Sequence, residues 1–465
     1  MSAFRGSGLT RRTLAVIAIE HLLILLSVGV GMAVRFGVDT VDIWLDLPLL
    51  WRAGLIAIVL QLCLHYSDLY DLRRVSDKRT VVVGLLQAIG AASLLLAFLY
   101  YWVPELVIGR GVFMVASAVI VLVVSGWRMA FDWLSERIRP HERLLIVGTS
   151  GAAVDLAREL YDRWNELGVE LVGFVDTDPA RVGMSLINPG VIGTVHDIPT
   201  IVRERNVDRV VVSLADARGK LSMDELLRMK LNDGVRFDHL ASVYESHTGK
   251  IAVENLRPSW LIFSEGFVKS RSQQAAKRTL DVLIATVGLT VLAPVAGLVT
   301  LAIRFTSPGP AVYRQQRVGK DGAIFTIFKF RSMRSDAEAG TGAVWSRQGD
   351  PRVTPVGRFL RRTRLDEIPQ LWNVMRGDMS FVGPRPERPE FVSKLIEQIP
   401  FYGQRHVVRP GLTGWAQVRH EYGSTVEDAL QKLQYELFYI KNMSLSFDLF
   451  IVLETVKTVL VRRGS

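Results

Sequence analysis

The sequence predicts a three-part membrane protein. Its parts are a four-helix transmembrane bundle, an α/β Rossmann-like parallel-sheet domain, and a mainly α C-terminal domain with a re-entrant membrane helix. Three observations predict this. Apolar runs close to the ~20 residues of a spanning helix crowd the first third. A strand, a glycine turn and a helix open the middle part. A last apolar run, flanked by cations on both sides, precedes a polar region dense in arginine. The expected boundaries are 1–135, 140–265 and 275–465, with the re-entrant helix at 281–304.

The 465 residues suffice for roughly two to four domains. Hydrophobic residues make up 49%, unevenly distributed, and mean hydropathy is +0.24. The runs Leu14–Val34, Leu47–Leu64, Val81–Val103 and Val107–Trp127 form the bundle; Arg52 makes the second the weakest. Arg5, Arg11 and Arg12 precede the first run, and Asp39, Asp42 and Asp46 follow it. Arg73, Arg74, Lys78 and Arg79 fill the second loop, and Arg128, Arg137, Arg139 and Arg143 follow the fourth run. The positive-inside rule then places both ends of the bundle in the cytoplasm. Within the runs, Glu20 and His21 are the polar exceptions; either the bundle is a plain anchor, or these two line a lipid or substrate groove. The apolar N-terminal run is too long for a secretory signal peptide and lacks a clear cleavage site. Cys63 is the single cysteine, which excludes an intrachain disulfide or a cysteine metal site.

From Glu142 the chain reads as strand, turn and helix in LLIVGTSGAAVDLARELYDRW, with further strands in LVGFVDTD and VDRVVVSLAD. Alternating strands and helices imply a doubly wound parallel sheet. Gly148-Thr149-Ser150-Gly151 is an incomplete dinucleotide fingerprint, although Asp176 stands where a ribose-binding acid would. A tight strand–helix turn in a non-catalytic domain fits as well.

The run Val282–Ile303 is long enough to cross a bilayer. Cations lie on both sides of it, Lys277 and Arg278 before, Arg304, Arg314, Arg317 and Lys320 after, which argues for both ends inside. Pro294 removes a helical hydrogen bond and kinks or breaks the helix. A re-entrant helix broken at Pro294 satisfies both features; a kinked span is the alternative. The final apolar segment, SLSFDLFIVLETVKTVLVRR, fits an interfacial helix or a core-packing one.

Between these elements, VYRQQRVGKDGAIFTIFKFRSM reads as a hairpin with Lys329 and Arg331 near its end. Then comes GRFLRRTRLDEIPQLWNV, in which Arg358, Arg361, Arg362 and Arg364 precede Asp366 and Glu367. Pro369 is tolerated only in a first helical turn, so a helix is expected to begin near Leu365 or Asp366. Its dipole would hold the two carboxylates ionised, either as a capping pair or as reactive groups. Arg358, Arg361 and Arg362 share a face if helical, and guanidinium forks suit phosphate oxygens. Arg385 and Arg388, flanked by Pro384, Pro386 and Pro389, mark a fixed anion site. Arg405, Arg409 and Trp415 in RHVVRPGLTGWAQV are candidate nucleotide contacts; Trp415 either stacks on a base or packs in a core. The net charge of +10 suits nucleic acid, anionic lipid or phosphorylated ligands. A diphosphate held by arginines and Mg²⁺, attacked by a carboxylate, is the chemistry this set can carry.

From Lys277 to Val461 the chain resembles the monotopic bacterial sugar-transferase (polyprenyl-phosphate phosphoglycosyl transferase) family. KFRSM, LDEIPQLWNVMRGDMSFVGPRP and RPGLTGWAQV carry the resemblance, in that order and spacing. With the four spans and the sheet domain, the whole chain resembles the large undecaprenyl-phosphate glucose/galactose phosphotransferases, and PSWLIFSEGF resembles their exopolysaccharide subgroup. The resemblance implies transfer of a sugar 1-phosphate, glucose first and galactose next, from a UDP-sugar to undecaprenyl phosphate with release of UMP. It implies Asp366 as nucleophile and carrier of a covalent phospho-sugar, with Glu367 completing the dyad. Arg361 and Arg385, with Lys329 and Arg331, would bind phosphate. Mg²⁺ at Asp366 and Glu367, Pro294 as the helix break, a homodimer, no nucleic-acid partner, and a bacterial inner-membrane location with the catalytic domain cytoplasmic are also implied. Ala293 stands where a serine often precedes that proline.

Two other classes compete. A membrane-tethered NAD-dependent sugar-modifying enzyme lacks a Tyr-x-x-x-Lys-type pair near the glycine turn. A non-catalytic scaffold would not need the intact Asp366–Glu367 pair with its arginines.

Overall fold

A computed structural model describes residues 11–37, 47–67, 69–70, 78–137, 142–162, 169–213, 223–232, 234–253, 261, 264, 266–334, 337, 350–420, 423 and 425–461. The loop charges Arg5, Asp39, Asp42, Asp46, Arg73, Arg74 and Arg139, and most of PSWLIFSEGF, lie outside these residues. The chain divides into two compact units, with the boundary between residues 239 and 240.

The first unit begins with four helices: α1 (Arg11–Phe36), α2 (Leu47–Tyr66), α3 (Lys78–Trp102) and α4 (Arg110–Arg137). Three are long and apolar enough to cross a membrane; in α2 the apolar stretch is the shorter Leu50–Tyr66. They bury Ile24, Leu64, Leu85 and Val124, and leave Leu22, Leu94, Phe98, Met114 and Leu122 exposed, as a lipid-facing bundle requires. Gly31 lets α1 approach the Val112 carbonyl and Ala116 of α4 too closely for any Cβ. Glu20 lines no groove. It is fully buried and takes a two-pronged ion pair from Arg128, at 2.6 and 3.0 Å. Arg128 also donates to the Leu69 carbonyl at 2.8 Å and lies over the Tyr70 ring. It therefore sits inside α4 as interhelical glue, and leaves the set of loop cations that follow the fourth run. His21 meets Gln61 at 2.8 Å, joining α1 to α2.

The sheet that follows comprises β1 (Glu142–Val147), α5 (Gly151–Asp162), β2 (Val169–Asp176), β3 (Val191–Thr194), α6 (Ile198–Glu204), β4 (Arg209–Val212), α7 (Met223–Asn232) and β5 (Arg236–His239). All strand pairs are parallel, in the order β3-β2-β1-β4-β5. The central strand β1 is buried on both faces, with Leu144 to Val147 all fully buried, whereas the edge strand β5 has no buried residue. Gly148, at φ 103°, makes the turn into α5. Asp176 is occupied: it accepts from Thr149 of that turn, from the Asp178 amide and from Arg181. The acid that could have bound a ribose instead ties β2 to the glycine turn.

The second unit opens with α8 (Leu240–Thr248) and α9 (Arg271–Thr306). A hairpin of β6 (Val312–Val318) and β7 (Ile324–Phe330) follows, then α10 (Pro355–Thr363), α11 (Gln370–Arg376), β8 (Ser380–Val382), α12 (Pro389–Gln398), β9 (Gly411–Thr413), α13 (Trp415–Arg419), α14 (Val426–Asn442) and α15 (Leu445–Val461). The core gathers Val382, Leu395, Trp415, Leu437, Phe438, Tyr439, Phe447 and Ile451. Ile251 and Val253 belong to it too, and the Ile251 amide donates to the Gln434 carbonyl.

α9 starts in a Ser270–Gln273 capping box and runs 36 residues, about 54 Å. It begins ten residues before the expected 281 and stays helical across Pro294, a position where a proline bends a helix without ending it. The proline costs its own backbone donor, and the neighbouring turns hold the helix together. Both ends of α9 are fastened to the same unit. Arg278 donates to the Val374 and Met375 carbonyls at the end of α11, and Lys277 to Asp448 and the Val382 carbonyl. Asp281 accepts from Ser380 and the Phe381 amide. At the other end, Val299 and Ile303 pack with Phe330, Leu360 and Ile368. Leu283, Val287, Val291, Leu298 and Phe305 form an exposed apolar stripe. In α15, Phe447, Asp448 and Ile451 face the core while Leu445 and Leu449 stay exposed; the helix packs one face and bares the other. Arg462 and Arg463 lie outside the described residues.

Candidate active site

Thr354 caps α10 by accepting from the Gly357 amide, and Pro355 supplies its first residue. Gly357 lies against the Ser332 carbonyl, where no Cβ fits. The helix ends at Arg364, a non-glycine residue at φ 56°. The next residues, Leu365–Glu367, form a single 3-10 turn, and α11 begins only at Gln370. Asp366 and Glu367 are thus not the first turn of an α-helix. The left-handed residue makes the chain double back, and the acids sit in the tight corner between two short helices.

That corner is densely charged. Arg385 donates to Glu367 Oε1 at 2.9 Å, Lys329 Nζ lies 3.6 Å from the same oxygen, and Arg364 lies 3.9 Å away. The hairpin brings Lys329, the proline-flanked loop brings Arg385, and the 3-10 turn brings the acids. Burial opposes ionisation of Glu367, yet Arg385, Lys329 and Arg364 outweigh it and hold the acid at about 2. Asp366 goes the other way: burial first, then the charge of Glu367, raise it to about 6. The helix dipole expected to favour its ionised form is absent. Burial also lowers Lys329 to about 8, against the pull of Glu367. Asp366 is 8% exposed, and its Oδ1 has no hydrogen-bond partner among the described residues. A buried, unpaired carboxylate oxygen beside a neutralised neighbour is free to act on an incoming group.

The other candidates separate. Arg361 is half-buried and donates to Ser332 Oγ at 2.9 Å, and its charge acts on Asp366. Arg358 and Arg362 are exposed and share one face of α10 with the half-buried Arg361, as their i, i+3, i+4 spacing within a helix requires. Arg331 is buried and spent on the Ser307 and Pro308 carbonyls and Ser307 Oγ, closing the turn after α9. Its Nε is buried and has no hydrogen-bond partner among the described residues. Arg388 pairs with Glu390. Arg409 is exposed. Trp415 is 1% exposed, ringed by Tyr435, Phe438, Phe447 and Phe450, and donates to the Gly249 carbonyl at 2.9 Å. A tryptophan enclosed in this way stacks on no base. Arg405 is buried against Glu436 at 2.6 Å and donates to Tyr402 Oη and the Arg385 carbonyl, so its fork holds the loop that carries Arg385.

Sequence reasoning missed Asn373. It is fully buried, accepts from the Phe328 amide and donates to the Thr326 carbonyl, docking α11 on β7 beside Lys329. An asparagine inside an otherwise apolar helix face was the available signal.

No group of three or more metal-ligating side chains occurs among the described residues. Mg²⁺ commonly takes one or two carboxylates and completes its shell with phosphate oxygens and water. The unpaired Oδ1 of Asp366, next to Glu367, fits that shared mode.

Residues 272–462 match the family described as bacterial sugar transferase, and residues 65–237 match a CoA-binding domain. The chain is 31% identical to the undecaprenyl-phosphate glucose phosphotransferase of Komagataeibacter xylinus, over 78% of this chain and 72% of that one. It is 33% identical to the UDP-glucose:undecaprenyl-phosphate glucose-1-phosphate transferase of Escherichia coli (strain K12), over 72% of each chain. It is 40% identical to the UDP-N-acetylgalactosamine-undecaprenyl-phosphate N-acetylgalactosaminephosphotransferase of Aeromonas hydrophila, over 49% of this chain and 53% of that one.

Proposed function

Because this chain belongs to the bacterial sugar transferase family of undecaprenyl-phosphate sugar phosphotransferases, we propose that it transfers a sugar 1-phosphate from a UDP-sugar to undecaprenyl phosphate through Asp366. The unpaired, buried Oδ1 of Asp366 beside a cation-ringed Glu367 carries this reading.

An Asp366 oxygen attacks the phosphorus bonded to the sugar. A P–O bond to the carboxylate forms, the bond to the UMP phosphate breaks, and UMP leaves with the electron pair. An oxygen of undecaprenyl phosphate then attacks the same phosphorus, and the Asp366 carboxylate leaves. Arg385, Lys329 and Arg361 bind the diphosphate oxygens, with Glu367 fixing the first two in place. Asp366 and Glu367 would hold Mg²⁺ together with the diphosphate, where the ion supplies neutralisation of phosphate charge. Glucose is the favoured sugar, from similarity that runs through most of the chain. A second reading, N-acetylgalactosamine, is favoured by the higher identity of the Aeromonas relative.

For α9 we propose re-entry into the inner leaflet of the bacterial inner membrane, with the dyad on the cytoplasmic side. Both of its ends are fastened to one unit, while its exposed face is apolar. A straight crossing would put the two ends on opposite sides of a hydrocarbon core about 30 Å thick. The lipid acceptor then reaches Asp366 along a helix already packed on it through Ile368.

The test is UMP release in a screen of UDP-sugars with undecaprenyl phosphate, together with mass spectrometry for a phospho-sugar on Asp366. An Asp366→Asn variant that still turns over at wild-type rate would sink the covalent step. For topology, a Thr306→Cys variant should resist thiol reagents applied from the periplasmic side; labelling there would mean a true span.

A further inference from the structure

Gln370 lies on the buried side of the reaction corner and takes no part in the steps above. It is 3% exposed, and its Nε2 is buried without a hydrogen-bond partner among the described residues. Buried donors are normally satisfied, so an amide left open here needs a physical reason. The backbone places it. Leu365–Glu367 form the 3-10 turn, Ile368 (φ −52°, ψ −42°) and Pro369 (φ −62°, ψ −18°) stay in the right-handed helical region, and α11 follows. The amides of Ile368, Leu371 and Trp372 each donate three residues back, to the carbonyls of Leu365, Ile368 and Pro369. The chain therefore winds with one hand from the acids into α11, and Gln370 stands one turn after Asp366, at i+4. In a helix that spacing leaves Cβ atoms about 5–6 Å apart and lets a glutamine hydrogen-bond to an aspartate.

The polar neighbours on this side are otherwise engaged. Asn373, at i+3 and fully buried, accepts from the Phe328 amide and donates to the Thr326 carbonyl and to Asp378. Glu367 Oε1 is surrounded by Arg385, Lys329 and Arg364. Asp366 differs, because its Oδ1 is buried and unpartnered among the described residues. A buried donor without an acceptor and a buried acceptor without a donor thus stand one turn apart. Nε2 is closed to solvent, so a neighbouring side chain rather than a bound ligand must satisfy it.

We propose that Gln370 is a positioning residue whose amide N–H donates to the carboxylate oxygen of Asp366 that is not bonded to phosphorus. This role rests on the transfer reading of Asp366. When one oxygen of Asp366 bonds to phosphorus, the other becomes the carbonyl oxygen of a neutral acyl phosphate. When undecaprenyl phosphate takes the phospho-sugar, that P–O bond breaks and its electron pair returns to the carboxylate. No proton moves in either step. A hydrogen bond to a charged acceptor is roughly twice as strong as one to a neutral acceptor. Gln370 therefore favours the free carboxylate over the adduct and helps Asp366 to leave. Lys329 and Arg361 also act on Asp366 by charge, but they are drawn to the diphosphate as well. The amide is neutral and orients the acid without competing for phosphate.

The test uses the full-length protein in nanodiscs with UDP-glucose (or UDP-N-acetylgalactosamine, if the screen selects it), UMP and no acceptor. Intact-protein mass spectrometry reads the equilibrium ratio of phospho-sugar adduct to free enzyme. Gln370→Met keeps the length of the side chain and removes the donor, so its ratio should lie about tenfold above wild type. With undecaprenyl phosphate added, kcat/KM for the acceptor should fall several-fold while kcat/KM for the UDP-sugar holds. Thermal unfolding should come no lower than in wild type, because the lost donor is unpaired in the free chain. A packing role alone would lower stability and leave the ratio in place; an unchanged or reduced ratio overturns the proposal. Should Gln370→Met fail to fold, Gln370→Leu carries the same expectation. Should both fail, isotope-edited infrared spectroscopy of the wild-type adduct decides. Its acyl-phosphate carbonyl stretch should lie below that of an acyl phosphate without a hydrogen bond, and a stretch at the free position overturns the proposal. If no UDP-sugar gives an adduct on wild-type Asp366, the transfer reading falls and the role of Gln370 with it; if the adduct forms and the ratio does not move, only the role of Gln370 falls.

Discussion

The Glu20–Arg128 pair of the helical bundle and the Glu367–Arg385 pair of the C-terminal unit share one chemistry in opposite surroundings. Arg128 meets Glu20 with two nitrogens at 2.6 and 3.0 Å, and its remaining arm takes a backbone carbonyl. Both carboxylate oxygens are used, one cation serves one anion, and both partners are buried. Around Glu367, three cations converge on one acid, and the acid beside it keeps a buried oxygen unpaired. An arginine–carboxylate pair is by itself a structural device. Surplus cations and an unused oxygen are what separate a site from a staple.

The strongest way to break this comparison is Asp366→Asn. It removes the unused oxygen's charge at nearly constant volume, and activity should fall on the order of 10⁴-fold or more. Thermal unfolding should be close to wild type, and no adduct should appear by mass spectrometry. Next comes the bundle. Glu20→Ala leaves Arg128 buried and unpaired, which should cost about 3–5 kcal/mol of stability in a detergent or lipid unfolding assay. The folded fraction should keep its kcat. A large change in kcat without loss of stability would make the bundle pair functional rather than structural.

The third concerns pH. Asp366 must be ionised to attack, and its folded value is raised to about 6, so kcat/KM should fall as pH drops through about 6. Lys329, lowered to about 8, must be charged to bind phosphate, so a second fall should begin as pH rises through about 8. Glu367→Gln removes the negative charge that helps raise Asp366, so the acid limb should move to lower pH in whatever activity remains. A limb that stays in place would mean Glu367 does not act on Asp366. The smallest effect is expected at Trp415→Phe. It loses one buried hydrogen bond to the Gly249 carbonyl, about 1 kcal/mol, and the donor KM should not move. A raised donor KM would return Trp415 to the nucleotide.

The hairpin carrying Lys329, the parallel sheet and the spanning helices were legible because each is written in local periodicity and turn chemistry. The dyad was legible because acids stand beside arginines in one short stretch. The environment of each acid was not. Whether Asp366 or Glu367 is the paired one depends on Arg385 and Lys329, which lie 18 and 38 residues from Glu367 in sequence and arrive through different elements. Arg331 stands two residues from Lys329 at the same strand end, and Trp415 follows a glycine as Arg385 follows a proline. Packing sent them to a turn and to a core.

The sequence by itself determined the division into apolar helices, sheet and polar region, the acid pair set among arginines, and the family, because hydrophobic patterning and motif spacing are properties of the chain. Only the tertiary structure decided that Glu20 and Arg128 neutralise each other, that α9 runs through Pro294 with both ends on one unit, and that Asp366 rather than Glu367 keeps an unpaired oxygen. Those outcomes depend on which distant groups share a low-dielectric space, and charge in such a space is set by its neighbours rather than by its own residue type.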